Sequence, residues 1–149
     1  MKILVIEDEQ KHLLDATKVL PTENIEYLFV SCLKEAKKYF GKVDGIITDV
    51  YFPFDPDYVP EINEGPNGVI VAVVSQKLGI PCVICTSGYH HGKKYNWACS
   101  LLREIGFPEM IDSYEELLEG RKNTREDEAD HKPWEKAWAI LEEKMKKEK

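Results

Sequence analysis

Acidic side chains stand where two apolar runs break off. Lys2-Ile3-Leu4-Val5-Ile6 ends in Glu7-Asp8-Glu9, and the run through Gly45-Ile46-Ile47-Thr48 ends in Asp49, after which Tyr51-Phe52-Pro53 opens a proline-rich stretch. A third apolar run, Pro81 to Cys85, ends in two hydroxyls and a glycine, Thr86-Ser87-Gly88. If these runs are parallel strands, the polar groups line one sheet edge, the edge at which open α/β sheets bind ligands. Carboxylates crowded at one place repel, which raises the free energy of the empty ionised site and favours capture of a hard cation. Beside such a cation a carboxylate can act as nucleophile toward a phosphoryl group whose oxygens the cation neutralises. Thr86 could donate a hydrogen bond to the transferred group.

The elements that would position these groups alternate along the chain. Leu13, Leu14, Thr17 and Leu20 recur at helical spacing before Pro21 stops the run, and residues 24–30 read as a second strand. Ser31 is placed as N-cap of a helix burying Leu33, Ala36 and Phe40, with Gly41 ending it. Residues 50–68 show no periodicity and hold four prolines, so they predict a long loop that starts at the acids. Residues 68–77 suit either a strand or a buried helix. A helix is expected, because two parallel strands need a crossover and Gly79-Ile80-Pro81 supplies a stop. Trp97, Leu101 and Ile105, flanked by Ala98 and Leu102, predict an amphipathic helix with Trp97 in the core. Residues 109–112 give a short fifth strand, and Ser113-Tyr114-Glu115-Glu116 has the form of a capping box opening a helix through Leu118.

Three parts follow from this pattern: residues 1–120 as the main domain, 121–132 as a solvated polar linker, and 133–149 as an amphipathic helix opened by Pro133. Trp134, Trp138, Leu141 and Met145 share one stripe of that helix and are expected to dock on the same domain, since two tryptophans are costly to leave in water. At 149 residues the chain suits one domain with a sizeable core. A formal net charge of -7 argues against non-specific nucleic-acid binding, and residues 1–120 hold 19 Asp and Glu against 11 Lys and Arg. No apolar run approaches the roughly 20 residues that span a bilayer, and the apolar stretch at the N-terminus is too short for a signal peptide. The reading is a cytoplasmic protein with no membrane contact. Cys82 and Cys85 form C-x-x-C, but on a strand positions i and i+3 face opposite sides, so they are read as small buried residues. His90 and His91 read as part of a solvated loop.

Strand then helix, repeated five times with polar residues ending the first, third and fourth strands, resembles the receiver domain of response regulators. The residues that carry the likeness are ILVIEDE, IITDVYFP and VICTSG, in that order within residues 1–118. The resemblance implies a flavodoxin-like three-layer α/β fold with a five-stranded parallel sheet, to which this chain adds a C-terminal helix. It implies Asp49 as phosphoryl acceptor and Thr86 as the hydroxyl contacting the phosphoryl group. It further implies Mg²⁺ held by Glu7, Asp8, Asp49 and the Tyr51 main-chain carbonyl, with Asn67-Gly68 opening the third helix. The phosphoryl group would come from a sensor histidine kinase or phosphotransfer protein, and output would pass to a protein partner, with no enzymatic activity beyond self-phosphorylation and self-dephosphorylation.

Receivers carry a lysine at the end of the fifth strand, and here the stretch reads Met110-Ile111-Asp112-Ser113, with an acid in its place. Lys93 or Lys94 could reach in, although a surface role fits exposed lysines better. Two further readings stay open: a pseudo-receiver kept as an interaction module not switched by phosphate, and a Mg²⁺-dependent phosphohydrolase using the same acids.

Overall fold

Short runs of β-branched and apolar residues become strands, and the segments between them become helices because parallel neighbours need crossovers. The computed structural model describes residues 1–55, 57, 64–87, 92–107, 110–112 and 131–147. In chain order its elements are β1 (Lys2–Ile6), α1 (Gln10–Val19), β2 (Glu26–Val30), α2 (Leu33–Ala36), β3 (Gly45–Thr48), β4 (Phe52–Pro53) and β5 (Glu64–Gly65). They continue as α3 (Asn67–Leu78), β6 (Cys82–Thr86), α4 (Gly92–Glu104), β7 (Met110–Asp112) and α5 (Trp134–Lys147). The main sheet has the order β2-β1-β3-β6-β7, with every neighbouring pair parallel. This is the flavodoxin-like α/β fold.

Alternation along each strand makes two cores. From β1, Leu4 and Ile6 join Ile46 and Ile84 under α2, α3 and α4, while Ile3 and Val5 join Ile47, Val83 and Ile111 under α1 and α5. Cys82 belongs to the first core and Cys85 to the second, the opposite facing that their spacing predicts.

The last helix is structurally part of the sheet's second layer. α5 packs on β3, β6 and α1, and its Trp134, Ala137 and Leu141 are fully or almost fully buried. Its far end lies near the opposite sheet edge, where Met145 shares a cavity of about 500 Å³ with Met1, Val43 and Pro81. Its first turn therefore lies at the edge where the strands end. Leu141→Ala is expected to cost about 2–5 kcal/mol in urea unfolding, the usual range for a fully buried leucine.

Several local expectations are corrected by packing. Leu20 is buried as expected, but Leu14 is 51% exposed, and the buried residues of α1 are His12 and Ala16. With Leu20 these lie at i, i+4 and i+8, one row rotated from Leu13 and Leu14. Trp97 is 53% exposed, and Leu101 and Ile105 are exposed as well, because α4 turns Ala98 and Leu102 inward, and the small Ala98 lets the helix approach the sheet. Ser31 does not cap α2; Cys32 takes the N-cap place without a side-chain bond, and the Lys34 N–H donates to the Phe54 carbonyl at 2.9 Å. The long segment after Asp49 includes the small antiparallel pair β4 and β5, with Tyr51 and Phe52 buried. Asp55 ties it to α2 through Lys34 at 2.6 Å. Residues 68–77 are helical, as expected, and Gly79 ends the helix with φ 64°. The capping-box helix expected after Ser113, His90, His91, and the side chains of Lys93, Lys94 and Asp112 lie outside the described residues.

Candidate functional site

The strand ends converge as their register dictates. Ile6 of β1 pairs with Thr48 of β3, so Glu7 and Asp49 each follow a paired residue and emerge side by side. The Asp49 N–H donates to the Ile6 carbonyl at 3.0 Å, and the Glu7 N–H donates to Val30 at 3.0 Å, which holds both backbones in line with the sheet. Glu7 is fully buried and Asp49 is 4% exposed, whereas Asp8 faces solvent. Oxygen atoms of Glu7, Asp8 and Asp49 lie within 4.8 Å of one another.

Each buried carboxylate keeps one oxygen for the backbone. Glu7 Oε1 accepts the Glu9 N–H at 3.0 Å, and Asp49 Oδ1 accepts the Val50 N–H at 2.6 Å. The other oxygens converge on one ammonium. Lys132 Nζ donates to Glu7 Oε2 and, at 2.6 Å, to Asp49 Oδ2, and the Lys132 side chain is 1% exposed. Two carboxylates thus share one buried cation.

Lys132 ends the polar run expected to be a solvated linker, and no lysine stands at the end of the fifth strand in the sequence. β7 does end at Asp112, but the ammonium arrives from a residue twenty positions further on. The reason is the docking of α5. Trp134 is 2% exposed at the sheet's carboxyl edge, so the residue two positions earlier is drawn to the acids. The available signal was a lysine immediately before a helix-opening proline and a core-sized tryptophan.

Charge in the pocket is unevenly matched. Burial pushes the Glu7 carboxyl up to about 7 against the pull of Lys132, and the neighbouring Asp49 charge adds to the rise. Burial also disfavours the Lys132 ammonium, but the charges of Asp49 and Glu7 outweigh it and hold the group above the usual lysine range. The lysine therefore stays cationic at neutral pH, while among the described residues the two acids share this one counter-charge.

The helix that follows the Asp49 loop must come very close. The Gly68 N–H donates to the Val50 carbonyl at 2.9 Å, and a Cβ on Gly68 would lie 2.2 Å from the Asp49 carbonyl oxygen. Asn67 Nδ2 donates to the Phe52 carbonyl at 2.6 Å and fixes the loop as it leaves the pocket. Thr86 ends β6, the strand beside β3, and is 1% exposed; Tyr51 is 3% exposed.

The donors are carboxylate oxygens, the set that suits a hard divalent cation such as Mg²⁺. The three clustered acids could hold it, with Asp8 as the member open to solvent. None of the described helices is long and apolar enough to cross a membrane.

Solved structures share this fold. The chain is similar to a response regulator receiver domain protein from Clostridium thermocellum, at 20% identity, covering 99% of this chain and 95% of that one, with a TM-score of 0.53. It is similar to the signal receiver domain of a putative Luxo repressor protein from Vibrio parahaemolyticus, at 13% identity, covering 99% and 94%, with a TM-score of 0.57. The RcsB response regulator of Salmonella typhimurium matches at 14% identity, covering 95% of this chain and 67% of that one, with a TM-score of 0.52. No protein-family model and no curated protein matches the sequence.

Proposed function

We propose, from the receiver fold that this chain shares with those structures, that it is a signalling receiver whose phosphoryl acceptor is Asp49. The observation that carries the reading is the convergence of Glu7, Asp8 and Asp49 with a buried Lys132 at the carboxyl edge of the sheet. Glu7, Asp8, Asp49 and the Tyr51 carbonyl would hold Mg²⁺, which when bound neutralises phosphoryl oxygens and so lets a carboxylate approach them. Asp49 would supply the carboxylate nucleophile, with Oδ1 bonded to the Val50 N–H and Oδ2 to Lys132 Nζ. Lys132 already donates to that oxygen and would remain within reach of the added charge, which it balances. Thr86, at the end of the neighbouring strand, would donate to the phosphoryl group. The donor would be a sensor histidine kinase or phosphotransfer protein, and the output would pass to a protein partner.

Incubation with Mg²⁺ and acetyl phosphate, followed by intact mass measurement, tests this. Wild type is expected to gain one phosphoryl group, and Asp49→Asn none. An unchanged wild-type mass, or a gain that survives Asp49→Asn, rejects the reading.

A second reading has its own support. Because Lys132 neutralises part of the pocket without metal, the same arrangement would serve a pseudo-receiver that binds its partner irrespective of phosphate. That reading predicts partner affinity unchanged between Asp49→Asn and acetyl phosphate-treated wild type.

A further inference from the structure

Lys132 is held from both sides by contacts of different kinds. On one side Trp134 is sunk in the core at 2% exposure. On the other, His131 Nδ1 lies 3.2 Å from Asp15 Oδ2 on α1, a contact between residues 116 positions apart. The second Asp15 oxygen takes Lys18 Nζ at 3.3 Å. A groove of about 530 Å³ runs beside this pair, lined by Lys18, Val19, Pro133 and Lys136 among others, and Lys132 lines it as well as reaching the acids. Nothing in the acid pocket requires Asp15 or His131.

We propose that Asp15 and His131 are positioning residues, a surface latch that keeps Lys132 seated between Glu7 and Asp49. The inference rests on the reading of the acid pocket as a switch site, where the seat of the counter-cation sets how easily a metal or phosphoryl group enters. The charged groups that face His131 are Asp15 and Lys18 from α1, with Lys132, Glu135 and Lys136 on its own side of the groove. Burial works against the Asp15 carboxylate, but hydrogen bonds from Lys18 and His131 outweigh it and hold the carboxyl below its usual range. Asp15 is therefore held as the charged member of the pair, facing the imidazole at 3.2 Å. His131 is 71% exposed by side chain, so the effect is modest, about two- to fivefold as for other surface ion pairs.

The test uses the full chain and needs neither metal nor phosphodonor. Acetic anhydride labelling of Lys132 at pH 8 is followed by peptide mass spectrometry, relative to the urea-unfolded chain, with Lys144 at the other end of α5 reporting global unfolding. Asp15→Asn and His131→Ala should label at Lys132 about two- to fivefold faster than wild type, with Lys144 unchanged. His131→Arg, a permanent cation facing Asp15, should keep Lys132 at least as protected as in wild type, a rescue that a merely structural role would not give. Equal Lys132 protection in wild type, Asp15→Asn and His131→Ala overturns the latch. Failure of Asp49 to accept phosphate would show separately, in the mass measurement, and leaves this result standing.

Discussion

Lys132→Met is expected to destabilise the metal-free protein by about 3–5 kcal/mol at pH 8, because it leaves two buried carboxylates without their cation. The methionine keeps most of the aliphatic stem, so the loss measures charge more than packing. At pH 5 the loss should be smaller, since the Glu7 carboxyl, raised to about 7 by burial, can neutralise itself with a proton. The sign follows from linkage. Between the ordinary value of 4.5 and about 7 the folded protein binds a proton at Glu7 that the unfolded chain does not, so this group's contribution to stability falls as pH rises through that window. Removal of Lys132 pushes the Glu7 carboxyl higher still and extends the fall upward. Mg²⁺ should recover more stability in the variant than in wild type, because the ammonium no longer competes for Glu7 and Asp49. Urea unfolding at pH 5 and pH 8, with and without Mg²⁺, gives all four values. A variant as stable as wild type at pH 8 without metal would show that Lys132 contributes no net stabilisation to the acid pair.

Gly68→Ala is expected to damage both stability and the site. The added Cβ would lie 2.2 Å from the Asp49 carbonyl oxygen and 2.7 Å from Val50 Cα. Both are backbone atoms that no side-chain rotation can move, so α3 must retreat from the Asp49–Val50 backbone. The loss should reach about 3 kcal/mol or more, the upper range for overpacking. Displacement of the Asp49 backbone should also slow labelling by acetyl phosphate about 100-fold, the effect of misplacing a reacting group by roughly 1 Å. Gly65→Ala is the matched control: among the described residues its Cβ would meet only Asn67 Nδ2, at 4.0 Å, and it should change either quantity little. Equal behaviour of the two variants would refute the close-approach argument.

Much of the frame was legible before any coordinates. The five strands, the helical reading of residues 68–77, and the acids at the strand ends follow from runs of β-branched residues, stop signals and the crossover requirement. Glycine at position 68 was legible as the opening of a helix, but its clash with Asp49 was not, since that depends on how far α3 leans over the neighbouring strand. The faces of α1 and α4 were misassigned because hydrophobic spacing tolerates a rotation of one row. Ala16 and Ala98 were chosen over Leu14 and Trp97 by the distance between helix and sheet, which residue type alone does not encode.

Asp49 and Glu7 were set by local order: a carboxylate placed one residue beyond an apolar parallel strand emerges at the sheet's carboxyl edge wherever the strand goes. That part the amino-acid order determined by itself. The cation between them was decided only by tertiary structure. Lys132 lies 83 residues from Asp49 and 125 from Glu7, in a polar run with no periodicity of its own, and reaches the pocket because Trp134 and Leu141 bury α5 beneath β3 and β6. Hydrophobic burial of one helix thus fixed the charge of a site to which that helix's own pattern made no reference.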